Sequence, residues 1–277
     1  MQTPSVGDKR RRLRELLQAG KASLAPGSAD VLTAKLIAKM GFPAVYISGS
    51  LQHALRGYAD VNALTMTEMV QTAAEVANEV PVPCLADGET GFGTTINVIR
   101  TVREYERAGV AGIHIEDSTV PKRPARLGYD SATVSMTEFL DKIKSALDAR
   151  TDESMVIVAR SELRGDFSAK FERLEAAAEL GADAFWVGGF TLTEVGKVCS
   201  MIEKPALSVL PKNISIDDYG LLGVKLAVIP GAMAMAGLIA QRKFLENLAQ
   251  SGNWTEWLEA QPGFKDANDH YSEQGVK

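Results

Sequence analysis

Eight short apolar runs recur along the chain, separated by longer segments of helical spacing. They are Ala22–Ala25 (before a Pro26-Gly27 turn), Ala44–Ser48, Val82–Ala86, Gly112–Glu116, Met155–Arg160, Ala184–Val187, Ala206–Val209 and Leu226–Ile229. Within Ile96–Ala108, residues Ile96, Ile99, Val102 and Tyr105 fall near every third or fourth position, the period of an amphipathic helix. Strands alternating with helices imply right-handed crossovers and a parallel sheet. Eight such units predict an α/β chain closed into a (β/α)₈ TIM barrel, with a doubly wound open sheet as the alternative. An N-terminal helix and a C-terminal helical extension over residues 240–277 would complete a single domain. The polar, Pro/Gly-punctuated stretch from Gln261 predicts a flexible or exchanged end.

Glycine follows helical runs at Gly41, Gly109 and Gly181, where a left-handed residue can end a helix. The stretch Ser118–Ser131 carries two prolines, a lysine, two arginines and a glycine but little apolar content, and it follows the fourth strand directly. A loop of that length and position predicts a lid.

The 277 residues suit one barrel domain. A net charge of -5 and a pI near 5.4 argue against binding to a nucleic-acid backbone. No run approaches the 18 or so apolar residues of a membrane span. The basic N-terminal cluster lacks the apolar core of a secretory signal, so a cytoplasmic protein is expected. Two cysteines, Cys84 and Cys199, cannot build a disulfide framework and read as reduced core thiols. His53, His114 and His270 lack metal-ligand spacing, so any metal must be held by oxygen.

Chemistry in a parallel barrel sits at the C-terminal ends of the strands. Asp60 follows the second predicted strand, Asp87 and Glu89 stand in ADGETGFG after the third, and Glu116 ends GIHIE in the fourth. Alternation places Gly112, His114 and Glu116 on one face, where a carboxylate must be paired or coordinated. Clustered carboxylates repel, and a hard divalent cation is their natural partner. Helix capping and turn decoration are the competing reading of Asp87 and Glu89. Gly88, Gly91 and Gly93 allow close backbone approach, and the absence of a lysine from ADGETGFGTT disfavours a phosphate loop.

ADGETGFG, followed by RTVREYERAGVAGIHIED, resembles the isocitrate lyase/phosphoenolpyruvate mutase superfamily, as do PGSADVLTAKLIAKMGFPAVYISGS and DARTDESMVIVAR. The resemblance covers roughly residues 22 to 240 and implies a (β/α)₈ barrel using Mg²⁺, with Mn²⁺ as an alternative. It also implies a homotetramer of paired subunits that exchange a C-terminal helix. By the same resemblance Asp87 is the direct metal ligand, and Asp60, Glu89 and Glu116 hold metal-bound waters. Ser48, Gly49 and Ser50 in YISGS match the turn that binds a substrate carboxylate. Arg160 matches the arginine on the substrate carboxylate or oxo oxygen, where a planar guanidinium can donate two parallel hydrogen bonds. Tyr46, Phe92 and Gly93 are expected at the pocket wall. His114 is read either as a hydrogen-bonding partner near the metal waters or as a satisfied core histidine.

The family's shared chemistry is cleavage or formation of a bond beside an α-oxo acid through a pyruvate-enolate-like species. Members that split isocitrate-like substrates carry a cysteine acid in the lid, whereas PKRPARLG here has Pro124 at that position. Proline cannot donate a proton, and it also departs from the asparagine of the phosphonate branch. IPGAMAMAG supplies no histidine after the eighth strand, where some decarboxylase-like members have one. The expected activity is therefore a Mg²⁺-dependent lyase on a small 2-oxo or 2-hydroxy dicarboxylate, for example oxaloacetate decarboxylation. Lys122 is expected to take a catalytic part from the lid, and Lys122, Arg123 and Arg126 are either ligands of the distal carboxylate or a solvated charge run. The alternatives are phosphorus–carbon cleavage of phosphonopyruvate and a non-catalytic carboxylate-binding barrel.

Overall fold

A computed structural model describes residues 4–123, 128 and 132–272. Eight parallel strands close into a barrel in sequence order: β1 Ser23–Ser28, β2 Val45–Ile47, β3 Cys84–Asp87, β4 Gly112–Glu116, β5 Val156–Arg160, β6 Ala184–Trp186, β7 Ala206–Val209 and β8 Val224–Ile229. All eight predicted runs form strands, and β8 pairs with β1 to close the sheet, which excludes the open alternative.

The first strand corrects one expectation. Pro26-Gly27 is not a turn, because β1 continues through it to Ser28. Glycine is needed there, since a Cβ at Gly27 would lie 2.3 Å from the carbonyl oxygen of Pro230 beyond β8.

Helix α1 (Val6–Gln18) starts with a capping box between Ser5 and Asp8. Its Leu13, Leu16 and Leu17 pack against the inward residues Ala25, Leu85, Val156 and Leu226, plugging the N-terminal end of the barrel. The interior is thus a packed core, and a cavity opens at the opposite mouth. Around the sheet lie α2 (Val31–Lys39), α3 (Gly49–Leu55), α4 (Met66–Glu79), α5 (Thr95–Arg107), α6 (Met136–Ala149), α7 (Phe167–Leu180), α8 (Leu192–Met201) and α9 (Ile216–Leu221).

Helix α5 occupies the predicted segment, but its buried stripe is Val98, Thr101, Val102 and Tyr105, and Ile96 is 76% exposed. Thr101 can sit inside because its hydroxyl bonds the carbonyls of Gly91 and Asn97. Gly41, Gly109 and Gly181 all have positive φ just past their helices, as expected.

Beyond β8 run α10 (Ala232–Ser251), α11 (Thr255–Glu259) and α12 (Phe264–Ser272). Helix α10 runs through residue 240, the expected start of the extension. The segment after Gln261 is not wholly irregular: α12 docks through buried His270, whose Nε2 meets the carbonyl of Leu32. Helix α10 buries none of its side chains in this chain. Among the described residues no helix is long and apolar enough to cross a membrane.

The segment after β4 returns on itself. Ser118 and Thr133 form an antiparallel bridge, and Val134 N–H donates to the Asp117 carbonyl at 2.8 Å. Pro124 and Arg126 lie outside the described residues.

Candidate active site

A cavity of about 410 Å³ opens at the C-terminal ends of the strands. Tyr46, Ser48, Ser50, Asp60, Asp87, Glu116, Lys122, Arg123 and Arg160 all line it, as the sequence predicted for one shared site. Gly49 and Glu89 lie directly beneath: a Cβ at Gly49 would fall 2.5 Å from Glu89 Oε1 and 2.7 Å from Asp87 Oδ2. Phe92 and Gly93, expected at the wall, do not line this cavity. Phe92 has φ 59° and borders a neighbouring one beside Asn97 and Arg100, and Gly93 is in the left-handed region with φ 145°.

Asp87 ends β3, and its position is fixed on both sides. Its Oδ1 accepts from Glu89 N–H at 2.9 Å, and its carbonyl accepts from the buried Tyr105 hydroxyl at 2.9 Å. Neither Asp87 nor Glu89 caps the next helix, whose N-cap is Thr94. Tyr46 Oη lies 2.9 Å from His114 Nε2, so His114 has a partner in the wall, yet its Nδ1 has none and stands 3.7 Å from Asp87 Oδ1. Burial pushes the His114 pKa down to about 4 against the pull of Asp87, so the ring is neutral near pH 7.

Glu89 and Glu116 are completely buried. Glu89 has φ 52°, as Asn62 has φ 60°, and strained non-glycine residues of this kind cluster at functional sites. Glu89 Oε2 accepts from Asn62 Nδ2 at 3.0 Å and contacts the Lys122 ammonium. Lys122 Nζ also lies 3.2 Å from Glu116 Oε1 and 3.4 Å from Asp60 Oδ1. Its backbone N–H donates to Asn62 Oδ1 at 2.7 Å, tying the start of the predicted lid to the acids. Burial would neutralise Lys122, but Glu116, Glu89, Asp87 and Asp60 hold its pKa well above that of an ordinary lysine. Burial and the neighbouring acids push Glu89 up to about 8, although Lys122 opposes the shift.

The donor set fits a hard divalent cation. Four carboxylates, those of Asp60, Asp87, Glu89 and Glu116, surround Lys122, and Arg160 reaches Glu116, whereas Glu162 pairs with Arg160 and Arg164. Among the described residues Glu89 Oε1 is buried without a hydrogen-bond partner and the buried Glu116 oxygens have only the ion pairs to Lys122 and Arg160, and Glu89 Oε1 converges with Asp87 Oδ2 over the bare Cα of Gly49. His53 Nδ1 or Nε2, an Asp60 oxygen and a Glu89 oxygen lie within 4.8 Å of one another. His53 is nevertheless committed elsewhere. Its Nε2 accepts from Leu64 N–H at 3.2 Å, which leaves Nδ1 to donate to the Gly49 carbonyl at 2.9 Å. Oxygen ligands therefore remain the better reading.

Arg160 ends β5, in register with Glu116 of β4. Its guanidinium packs over the Trp186 ring at 5.0 Å and lies 3.4 Å from Glu116 Oε2. Sequence reasoning missed Asn62, Glu162 and Trp186. Alternation along AFWV gave a signal for Trp186, two residues beyond inward-facing Ala184.

A family profile described as phosphoenolpyruvate phosphomutase matches residues 13–249. The chain belongs to this family. It is 44% identical over 179 residues to a 2,3-dimethylmalate lyase of Eubacterium barkeri, covering 64% of this chain and 62% of that relative. A 2-methylisocitrate lyase of Aeropyrum pernix is 33% identical over 255 residues, covering 89% and 82% of the two chains. An oxaloacetate decarboxylase of Chromohalobacter salexigens is 31% identical over 247 residues, covering 87% and 85%. The crystal structure of a phosphonopyruvate hydrolase complexed with oxalate and Mg²⁺ superposes with a TM-score of 0.85 at 28% identity, covering 96% and 95%. These relatives are thus two lyases, a decarboxylase and a phosphonopyruvate hydrolase.

Proposed function

We propose that this chain is a divalent-metal-dependent carbon–carbon lyase that forms a pyruvate enolate from a small 2-oxo or 2-hydroxy dicarboxylate, with oxaloacetate decarboxylation as its reaction. The observation that carries the reading is the convergence of Asp87, Glu89 and Glu116 beside Arg160 at one cavity. Asp87 would hold Mg²⁺ (or Mn²⁺) directly, supported through water by Asp60, Glu89 and Glu116. The cation supplies Lewis-acid stabilisation of negative charge on the 2-oxygen.

The chain's own groups supply the rest. Ser48 and the backbone of Gly49 and Ser50 receive the substrate carboxylate. Arg160 places a fixed positive charge beside the developing enolate. The C3–C4 bond breaks, its electron pair delocalises to the 2-oxygen, CO₂ leaves, and a proton added at C3 gives pyruvate. This path needs no acid at the Pro124 position. Lys122, held among Asp60, Glu89 and Glu116, links lid closure to assembly of the acids and carries Arg123 to the cavity edge.

The exposed apolar side chains of α10, including Leu238 at 63% and Ile239 at 59%, support an assembly of paired subunits, as the family resemblance implies. A panel of oxaloacetate, 2,3-dimethylmalate, 2-methylisocitrate and phosphonopyruvate, each with Mg²⁺ and with EDTA, tests the function. Metal-dependent pyruvate from oxaloacetate is expected to dominate; preferential turnover of another substrate would replace that assignment, and tight oxalate binding without turnover would make the barrel non-catalytic.

A further inference from the structure

The guanidinium of Arg160 has two hydrogen-bonding edges, and one is already taken. Nε and Nη2 both donate to Glu162 Oε1, at 2.8 and 2.6 Å. Among the described residues Nη1 donates to none. The grip of two parallel bonds expected from the sequence is therefore available to a ligand only through the terminal Nη1–Nη2 edge.

Glu162 is itself firmly held. Its N–H donates to Asp117 Oδ1 at 2.7 Å, and Ser161 Oγ donates to Asp117 Oδ2 at 2.6 Å. Arg173 Nη1 completes the cluster, donating to the same Oδ2 at 3.0 Å. Asp117 in turn donates its N–H to the Arg160 carbonyl at 3.2 Å. The ring of Trp186 lies against the guanidinium face. A long, flexible side chain is thereby fixed at one edge and on one face.

We propose that Glu162 is a positioning residue: by occupying the Nε–Nη2 edge of Arg160, it directs the Nη1 end of the guanidinium to the substrate carboxylate. The inference rests on the reading of Arg160 as the arginine that binds the substrate anion. It makes a prediction opposite to simple electrostatics. Removing a carboxylate beside an anion site should strengthen anion binding by charge alone, whereas losing the positioning contact should weaken it.

Oxalate binding to the full chain, measured calorimetrically in the presence of Mg²⁺, separates these outcomes. Glu162→Ala should weaken oxalate about tenfold or more, the scale of a lost charge-assisted contact. Glu162→Gln keeps the acceptor oxygen and its reach, and should bind within about threefold of wild type. Glu162→Asp keeps the charge but draws it back by one methylene, so it should weaken binding as alanine does; this variant decides the matter if alanine fails to fold. In the Arg160→Ala background the Glu162→Ala change should alter affinity by less than about twofold, since a residue acting through Arg160 has nothing left to orient. Unchanged or tighter oxalate binding by Glu162→Ala, or the same loss in the absence of Arg160, would overturn the positioning role. Wild-type affinity in Arg160→Ala would instead remove the reading on which it rests.

Discussion

Gly49→Ala is the sharpest structural perturbation of the acid cluster. Gly49 is the first residue of α3 and is absent from the positive-φ positions, so alanine meets no backbone penalty there. Helix propensity favours it by about 1 kcal/mol. The new Cβ, however, would sit 2.5 Å from Glu89 Oε1, 2.7 Å from Asp87 Oδ2 and 2.9 Å from Asp87 Cγ. Ordinary contact begins at 3.4 Å, so the Glu89 oxygen must retreat by about 0.9 Å and that of Asp87, the direct ligand, by about 0.7 Å. Neither acid is free to swing: Asp87 is held by Glu89 N–H, and Glu89 by Asn62 and Lys122. Metal–ligand distances tolerate only about 0.2 Å. Metal affinity should therefore fall by about 10–100-fold or more, as when ligand-orienting contacts are lost. The overpacking cost of about 1–3 kcal/mol, partly offset by helix propensity, should leave the protein folded. Titration with Mn²⁺, read by electron paramagnetic resonance of the free ion, measures the affinity, and circular dichroism confirms the fold. Wild-type Mn²⁺ affinity in a folded Gly49→Ala protein would refute the placement of the cation on Asp87 with Glu89 supporting it through water.

Other outcomes follow from burial elsewhere. Burial pushes the thiols of Cys84 and Cys199 up to about 12 and about 11, so iodoacetamide at pH 8 should leave native protein unmodified and add two groups in urea, read by intact mass. Burial lowers Lys170 to about 8 despite the pull of Glu162 and Asp117. The unfolded chain then holds the extra proton between about pH 8 and 10.5, so stability should rise with pH across that window by at most about 3 kcal/mol. Lys170→Met should remove the rise, measured as the difference in urea midpoints between the two proteins. Light scattering should give a multiple of the 29.8 kDa chain mass, reduced by the pair Leu238→Glu and Ile239→Glu on α10; a monomeric wild type would contradict the assembly.

The barrel was legible because strands of a parallel sheet, covered on both sides, read as continuous apolar runs such as VIVA and LAVI. Pro26-Gly27 misled because those residues usually mark a turn, whereas here close approach of Pro230 demands the glycine. Asp87, Glu116 and Arg160 were visible as polar residues closing apolar strands. The position of Lys122 was not, since it depends on a loop folding back to an aspartate 62 residues earlier in the chain. Glu162 was hidden for another reason: an acid two residues from an arginine looks like a surface pair until the strand end half-buries both.

Pyruvate release from oxaloacetate is the most direct test of the metal–arginine site. Wild-type protein with Mg²⁺ should produce pyruvate above the solution background, lose that activity in EDTA and regain it on adding Mg²⁺. Asp87→Ala should remain at background throughout. Equal rates from wild type and Asp87→Ala, or a wild-type rate indifferent to EDTA, would contradict it.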